Sequence, residues 1–281
     1  MRPKNPPRLH PAAIPCPRCR KLVSANTPEC IHCGLKKPSF YGSVPILGEL
    51  IRGGLSFVDG IVLVCFLLYA LSIALDLPNA LTFNSIFSFL SPSNEALYKL
   101  GMGGRIPWMA GEWWTLITAT YLHGSVMHIL FNMLWLRRSG AWVEELYGAS
   151  RFLIIYTFAG LVGSAASVLA GTPFFVGASG AIFGLFGALI YYGRNRGGTF
   201  GSAIFRQIAI LALISFGFGL VMPNVDNWGH LGGFVGGLLA AIALSYEERK
   251  RQTLGMHIGA ALTLVFVAAC FVFMLVTFFL K

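Results

Sequence analysis

Five apolar stretches, at residues 61–75, 153–170, 203–221, 231–244 and 258–280, dominate the pattern along this chain, and Arg206 is the single charged residue inside them. Several approach or exceed the ~20 residues that a helix needs to cross a bilayer. Two further helical stretches mix apolar residues with glycine, serine and histidine. Together the pattern predicts seven membrane spans, at roughly 57–76, 125–145, 152–170, 177–192, 203–221, 228–245 and 257–279. The expected fold class is therefore all-α, a polytopic membrane helix bundle. Six helices form a core over residues 57–246, and residues 247–281 supply a basic cytosolic connector and a seventh transmembrane helix.

The chain before the first span is of another kind. Residues 1–15, MRPKNPPRLHPAAIP, are basic and proline-rich and are expected to form a disordered tail. Residues 16–40 hold Cys16-Pro-Arg-Cys19 and, ten residues on, Cys30-Ile-His-Cys33, and residues 41–56 are a linker. Each CxxC turn aims two sulfurs at one point, which suits a structural Zn²⁺ held by four thiolates, with iron as the chemical alternative. Disulfides fit poorly in a small cytosolic unit. His32 lies inside the second knuckle and reads as a bystander, and Cys65 and Cys270 as small apolar residues of helices. Docking of a protein partner on this ribbon-like unit is an open role that no residue specifies.

Composition sharpens the membrane reading. The chain is 56% hydrophobic and 11% charged, against about a quarter charged in soluble domains. Its net charge of +10 has a topological explanation. With seven spans, Arg137, Arg138, Arg151, Arg194, Arg196, Arg206, Arg249, Lys250 and Arg251 share a side with the basic N-terminus, and Lys99, Arg105 and Lys281 take the other. Basic residues stay cytosolic, so the N-terminus is expected in the cytosol and the C-terminus outside. A nucleic-acid partner is not needed to explain the charge. The first 56 residues are polar and proline-rich, so no secretory signal peptide is expected, and the arrangement suits a bacterial plasma membrane. The outer connection, 77–119, carries Phe83, Phe87, Phe89, Trp108, Trp113 and Trp114, residue types that anchor at the bilayer interface.

Polar groups at membrane depth are costly and therefore point to function. Ser179, in the stretch VGASGAIFG, falls in the first turn of its helix, where unpaired N–H groups favour developing negative charge. Gly177 and Gly180 flank it and let backbone or substrate come close. His230 opens the sixth span from the same side, and Gly233 and Gly237 share its face. A neutral imidazole there can take the proton from the Ser179 hydroxyl and return it to a leaving amine. Asp226 is nearby in sequence but in the outer loop, so the pair reads as a dyad. The third place is the second span, where Ser125 is a candidate N-cap. His128 and Asn132, four residues apart, share a face and could hold an oxyanion together with the Ser179 amide. His123 precedes that helix and reads as a loop-fastening residue.

These residues resemble the rhomboid family of intramembrane serine proteases. The resemblance rests on Gly177-Ala178-Ser179-Gly180, on His230 with Gly233 and Gly237, on His123-x4-His128-x3-Asn132, and on Gly140-x3-Glu144-x3-Gly148. It implies a rhomboid-like six-helix core with a seventh helix appended. It also implies Ser179 as nucleophile, His230 as general base, and His128, Asn132 and the Ser179 amide as oxyanion donors. Phe183 takes the place of an aromatic ring packed on the histidine. The implied substrates are transmembrane segments of other proteins, cut near the outer face without a catalytic cofactor. Where the family has a Trp-Arg pair in its first outer loop, this chain reads Glu112-Trp113-Trp114-Thr115. Two other readings compete: an inactive rhomboid-like factor that binds or quality-controls membrane proteins, and a transporter. The first commonly lacks the serine or the histidine, and the second needs charges along a path through the bilayer midplane.

Overall fold

Helix boundaries follow the breaks in the sequence. The computed structural model describes residues 13–16, 21–24, 27–36, 56–82, 90–222, 224–246 and 253–280. The chain divides into two units, Met1–Ser56 and Phe57–Lys281. Cys19, Phe83, Phe87, Phe89, Arg249, Lys250, Arg251 and Lys281 lie outside the described residues, as do residues 1–12 of the expected tail and all of the expected linker except Ser56.

In the first unit, strands β1 (Ala13–Pro15) and β2 (Leu22–Ser24) pair antiparallel, with Ile14 opposite Val23. Strand β1 thus falls on the last three residues of the expected tail, 1–15. The strand before the first knuckle is needed to pair with the one after it. Cys16, Val23 and Cys30 are buried together, with Ile14, Cys33 and Leu35 packed around them.

The second unit begins with α1 (Phe57–Ala74). The outer connection folds into the short helices α2 (Leu77–Ala80), α3 (Asn94–Lys99), α4 (Arg105–Met109) and α5 (Thr115–Thr118), and a 3₁₀ turn at Ala119–Tyr121 follows. The long helices α6 (Val126–Tyr147), α7 (Ala149–Leu169), α8 (Ser179–Arg196), α9 (Gly198–Val221), α10 (Asn227–Leu244) and α11 (Leu254–Leu280) complete it. This is an all-α bundle. Among the described residues, α1, α7, α9, α10 and α11 are long and apolar enough to cross a membrane. They correspond to the five apolar stretches of the sequence, and the two mixed spans are α6 and α8. Both are of spanning length but diluted by Arg137 and Arg138 in the middle of α6, Glu144 and Glu145 toward its end, Arg194 and Arg196 in the last turn of α8, and site residues at the opposite end of both. Helix α8 is sheathed by its neighbours, with an unbroken buried run from Ala181 to Leu189, so it needs little lipid-facing surface of its own.

Local chemistry ties both ends. At the end away from Ser179, Glu144 Oε1 accepts from the Phe57 amide at 2.9 Å and Arg151 Nε donates to Leu244 O at 3.2 Å. At the other end, Gly103 and Phe175 exchange two backbone hydrogen bonds, of 3.1 and 2.8 Å, and the Arg105 amide donates to Thr172 O at 2.8 Å. Within the outer connection, Thr115 Oγ1 donates to Glu112 O at 2.6 Å, and the Tyr98 hydroxyl donates to Glu112 Oε1 at 3.2 Å. Thr115 is fully buried. The loop is therefore fastened by a buried threonine and glutamate where the family pattern has arginine.

Candidate active site

Ser179 is the first residue of α8, and the chain reaches it through Gly177, whose φ of 129° a side chain would resist. The Gly177 amide donates to Ala119 O at 2.9 Å. A Cβ built on Gly177 would stand 2.7 Å from His128 Nε2, so only glycine lets that ring lie against the approach to Ser179. The Ser179 amide is among the first N–H groups of α8, which have no acceptor in their own helix. Its helix starts two residues later than the pattern predicts because the turn at Gly177 is not helical.

His230 lies in the first turn of α10. Its Nε2 is 2.9 Å from Ser179 Oγ. The imidazole stacks on Phe183, with centroids 4.3 Å apart and planes 13° from parallel. His230 Nδ1 is buried and finds no hydrogen-bond partner among the described residues. The nearest carboxylate in sequence is occupied elsewhere. Asp226 caps α10, accepting from the Gly229 amide at 3.1 Å, and its other oxygen accepts from the Ser167 hydroxyl. It is the last residue of the loop and the cap of α10.

The two helices can approach this closely because their facing residues have no side chain. A Cβ on Gly233 would stand 2.0 Å from Gly180 O, and one on Gly237 would stand 2.0 Å from Gly184 O. In lipid, where tails compete for apolar contacts, small residues at the crossing are what let backbones meet.

Ser125 caps α6, its Oγ accepting from the His128 amide at 3.2 Å. One turn in, His128 Nδ1 accepts from the Gly124 amide at 3.3 Å, which assigns the proton of the neutral ring to Nε2, on the side of Gly177. Asn132 is buried and donates one amide hydrogen to His128 O at 2.8 Å, leaving the second for another acceptor. His123 is fully buried, and its ring lies 5.2 Å from that of His128 in a T-shaped contact. Burial, with His128 beside it, holds its imidazole well below the ordinary range, so it is neutral. Neither ring nitrogen makes a well-formed hydrogen bond among the described residues, and the ring packs against that of His128.

Sequence reasoning missed the contribution of α7. Gly160, Gly163, Ser164 and Ser167 line a cavity of about 30 Å³ beside Ser179 and His230, closed on another side by Thr120. A cavity of that size has room for about one water. The signal was present in the sequence. Positions 160, 163, 164 and 167 lie at helical spacing and are all glycine or serine.

In the first unit, the Sγ atoms of Cys16, Cys30 and Cys33 lie within 4.8 Å of one another, and Cys16 and Cys33 are 3.7 Å apart. That is too long for a disulfide, at about 2.05 Å. It matches the ~3.8 Å between tetrahedral thiolates at about 2.3 Å from zinc. Burial raises the Cys30 thiol, but hydrogen bonds from the His32 backbone, Cys16 and Cys33 outweigh it and bring it to about 7. His32 is exposed and stands outside the cluster.

The rhomboid domain model matches residues 110–247. The chain is 39% identical over 183 residues to rhomboid protease GluP of Bacillus subtilis (strain 168), covering 65% of this chain and 36% of that protein. It is 37% identical over 162 residues to RHOMBOID-like protein 5 of Arabidopsis thaliana, covering 55% of this chain and 52% of that one. It is 32% identical over 156 residues to YdcA of Bacillus subtilis (strain 168), named as of rhomboid type, covering 54% of this chain and 75% of that protein. The aligned region thus spans about a third of GluP and half of RHOMBOID-like protein 5. By the matched domain, by these identities and by an integral-membrane helix bundle, the chain belongs to the rhomboid family.

Proposed function

We propose that this protein is an intramembrane serine endopeptidase that cuts transmembrane segments of other membrane proteins near the extracytoplasmic face, with Ser179 and His230 as its catalytic dyad. The observation that carries the reading is the 2.9 Å contact between Ser179 Oγ and His230 Nε2. As Oγ attacks the substrate carbonyl carbon, His230 Nε2 takes its proton. The carbonyl oxygen becomes an oxyanion, met by the Ser179 amide, His128 Nε2–H and the second Asn132 amide hydrogen. His230 then passes its proton to the leaving nitrogen as the C–N bond breaks, which leaves an acyl ester on Ser179. Water, deprotonated by the same imidazole, cleaves that ester, releases the new carboxylate and restores the serine. The Phe183 stack keeps the imidazole facing Oγ without a carboxylate. That GluP is named a rhomboid protease supports the reading, which needs no cofactor.

The test uses purified protein in detergent or liposomes with a model transmembrane substrate. Wild type should release product and Ser179→Ala none; equal product from both ends the proposal. Fluorophosphonate labelling that requires both Ser179 and His230 would separate a protease from an inactive membrane-protein binder.

The reading extends to the rest of the chain. The bias of basic residues supports an N-terminus in the cytosol and a C-terminus outside, an arrangement that suits a bacterial plasma membrane. The four-cysteine unit at 16–40, following the N-terminal tail and preceding the 41–56 linker, carries a structural Zn²⁺ on Cys16, Cys30 and Cys33, with Cys19 as the fourth ligand. Its residues fit the metal in that Cys16 Sγ and Cys33 Sγ stand 3.7 Å apart, with Cys30 Sγ within 4.8 Å of both. One zinc per chain by elemental analysis is expected, lost in Cys30→Ser. Retention of full zinc content by that variant would remove the site.

A further inference from the structure

We infer that α11, the seventh helix, is a positioning element: Phe271, Phe273 and Met274 hold residues 114–123 in place beneath the catalytic end of the bundle. The inference rests on the serine-protease reading, because what it positions is the site proposed there. Most of α11 is exposed, as a helix facing lipid would be; Ala260, Cys270 and Met274 are its buried residues. Its inward contacts gather at two levels. Near its start, Ser150 Oγ and His257 Nδ1 are 3.1 Å apart, which pins its register on α7. Near its end, Phe273 stacks on Trp114, with centroids 5.6 Å apart and planes 15° from parallel, and its ring lies 5.2 Å from that of Trp113. Phe271 meets the ring of Tyr121 edge-on at 5.4 Å. Met274 packs with Leu97, Leu100, Met102 and Leu122, and its Cγ would stand 3.1 Å from a Cβ on Gly101.

The segment so held is the back wall of the site. Ala119 O takes the Gly177 amide that precedes Ser179, Thr120 lines the cavity beside the dyad, and His123 packs on His128. Thr118 Oγ1 ties the segment to Gly101 O at 2.8 Å, which joins it to the cluster under Met274. From α11 to the oxyanion side of Ser179 is therefore two contacts: ring on ring, then backbone on backbone. A helix serving only as an anchor in lipid would not need three large side chains, at 271, 273 and 274, aimed at one loop.

The test uses the full chain in liposomes and the variant carrying both Phe271→Ala and Phe273→Ala. The expected kcat for a model transmembrane substrate falls about tenfold, with KM within about twofold, since misplacing a reacting group by an ångström slows the chemical step rather than binding. Fluorophosphonate labelling of Ser179 should slow by the same factor. Amides of 117–123 should exchange with deuterium faster, with those of α8 and α10 unchanged. Phe271→Tyr with Phe273→Tyr should restore the rate, and Phe279→Ala, at an exposed position of the same helix, should leave it unchanged. Unchanged kcat and labelling in the alanine variant would overturn the inference. So would a rise in KM alone, or faster exchange spread over α8 and α10, which would make α11 a docking or a purely structural element. Failure of the protease reading shows separately, as equal product from wild type and Ser179→Ala. In that case exchange at 117–123 still decides whether α11 holds the segment.

Discussion

Helices α8 and α10 meet through glycine, whereas α9 and α11 meet their surroundings through large apolar side chains. The contrast runs through burial as well: the apolar window of α7, which joins α8 and α10, is 61% buried, against 17% for α9 and 11% for α11. Both sets are helices in the same bilayer-sized bundle, yet they answer different demands. Hydrocarbon tails are as apolar as leucine, so large apolar faces are satisfied by lipid and give little reason for two helices to stay in register. Glycine faces allow backbone-to-backbone approach and one fixed register. A Ser-His pair needs its atoms placed within about half an ångström, and it sits where the backbones touch. The outer helices can shift by more than that without disturbing it, unless, like α11, they carry a specific contact inward.

The contrast can be broken from its rigid side. His230→Ala should leave the fold intact and bring cleavage to background, read as product released from a transmembrane substrate; retained activity would remove the dyad. Asn132→Ala should lower kcat by about 10²–10³, the usual loss for one oxyanion donor, and a rate unchanged within error would take Asn132 out of the site. The smallest effect sharpens the comparison most. Gly237→Ala forces α8 and α10 apart, because its Cβ would meet Gly184 O, and should destabilise the protein by about 1–3 kcal/mol. Gly217→Ala in α9 meets nothing within 4 Å and should be neutral or stabilise by up to about 1 kcal/mol through helix propensity. Thermal unfolding in detergent measures both, and equal shifts would mean that the glycine crossing is not what holds the site.

Much of this was readable before the fold. Ser125 was visible as an N-cap because a serine after glycine, just ahead of an apolar run, has a local reason to be there, and its oxygen does cap α6. The even depth of Ser179 and His230 came from counting residues into two spans. Other features were out of reach. That α8 is enclosed by protein was one of them, since local hydropathy cannot show what surrounds a helix. Asp226 read as a loop carboxylate because the helix it caps begins only at the next residue, and its partner Ser167 is 59 residues away. The glycine-serine face of α7 was present as a pattern but had no function until another helix was laid against it.

By itself, the sequence determined that this is a helical membrane protein with a cysteine-bearing unit ahead of it. It also named the polar residues too costly to sit in a bilayer without a reason, since periodicity, charge and solvation cost are local properties. Only the tertiary structure decided which of those residues touch. The 2.9 Å between Ser179 and His230, the ring of Phe183 against the imidazole, and the reach of α11 to the back of the site depend on how backbones cross. Crossing geometry is set by pairs of faces far apart in sequence, and no single segment encodes it.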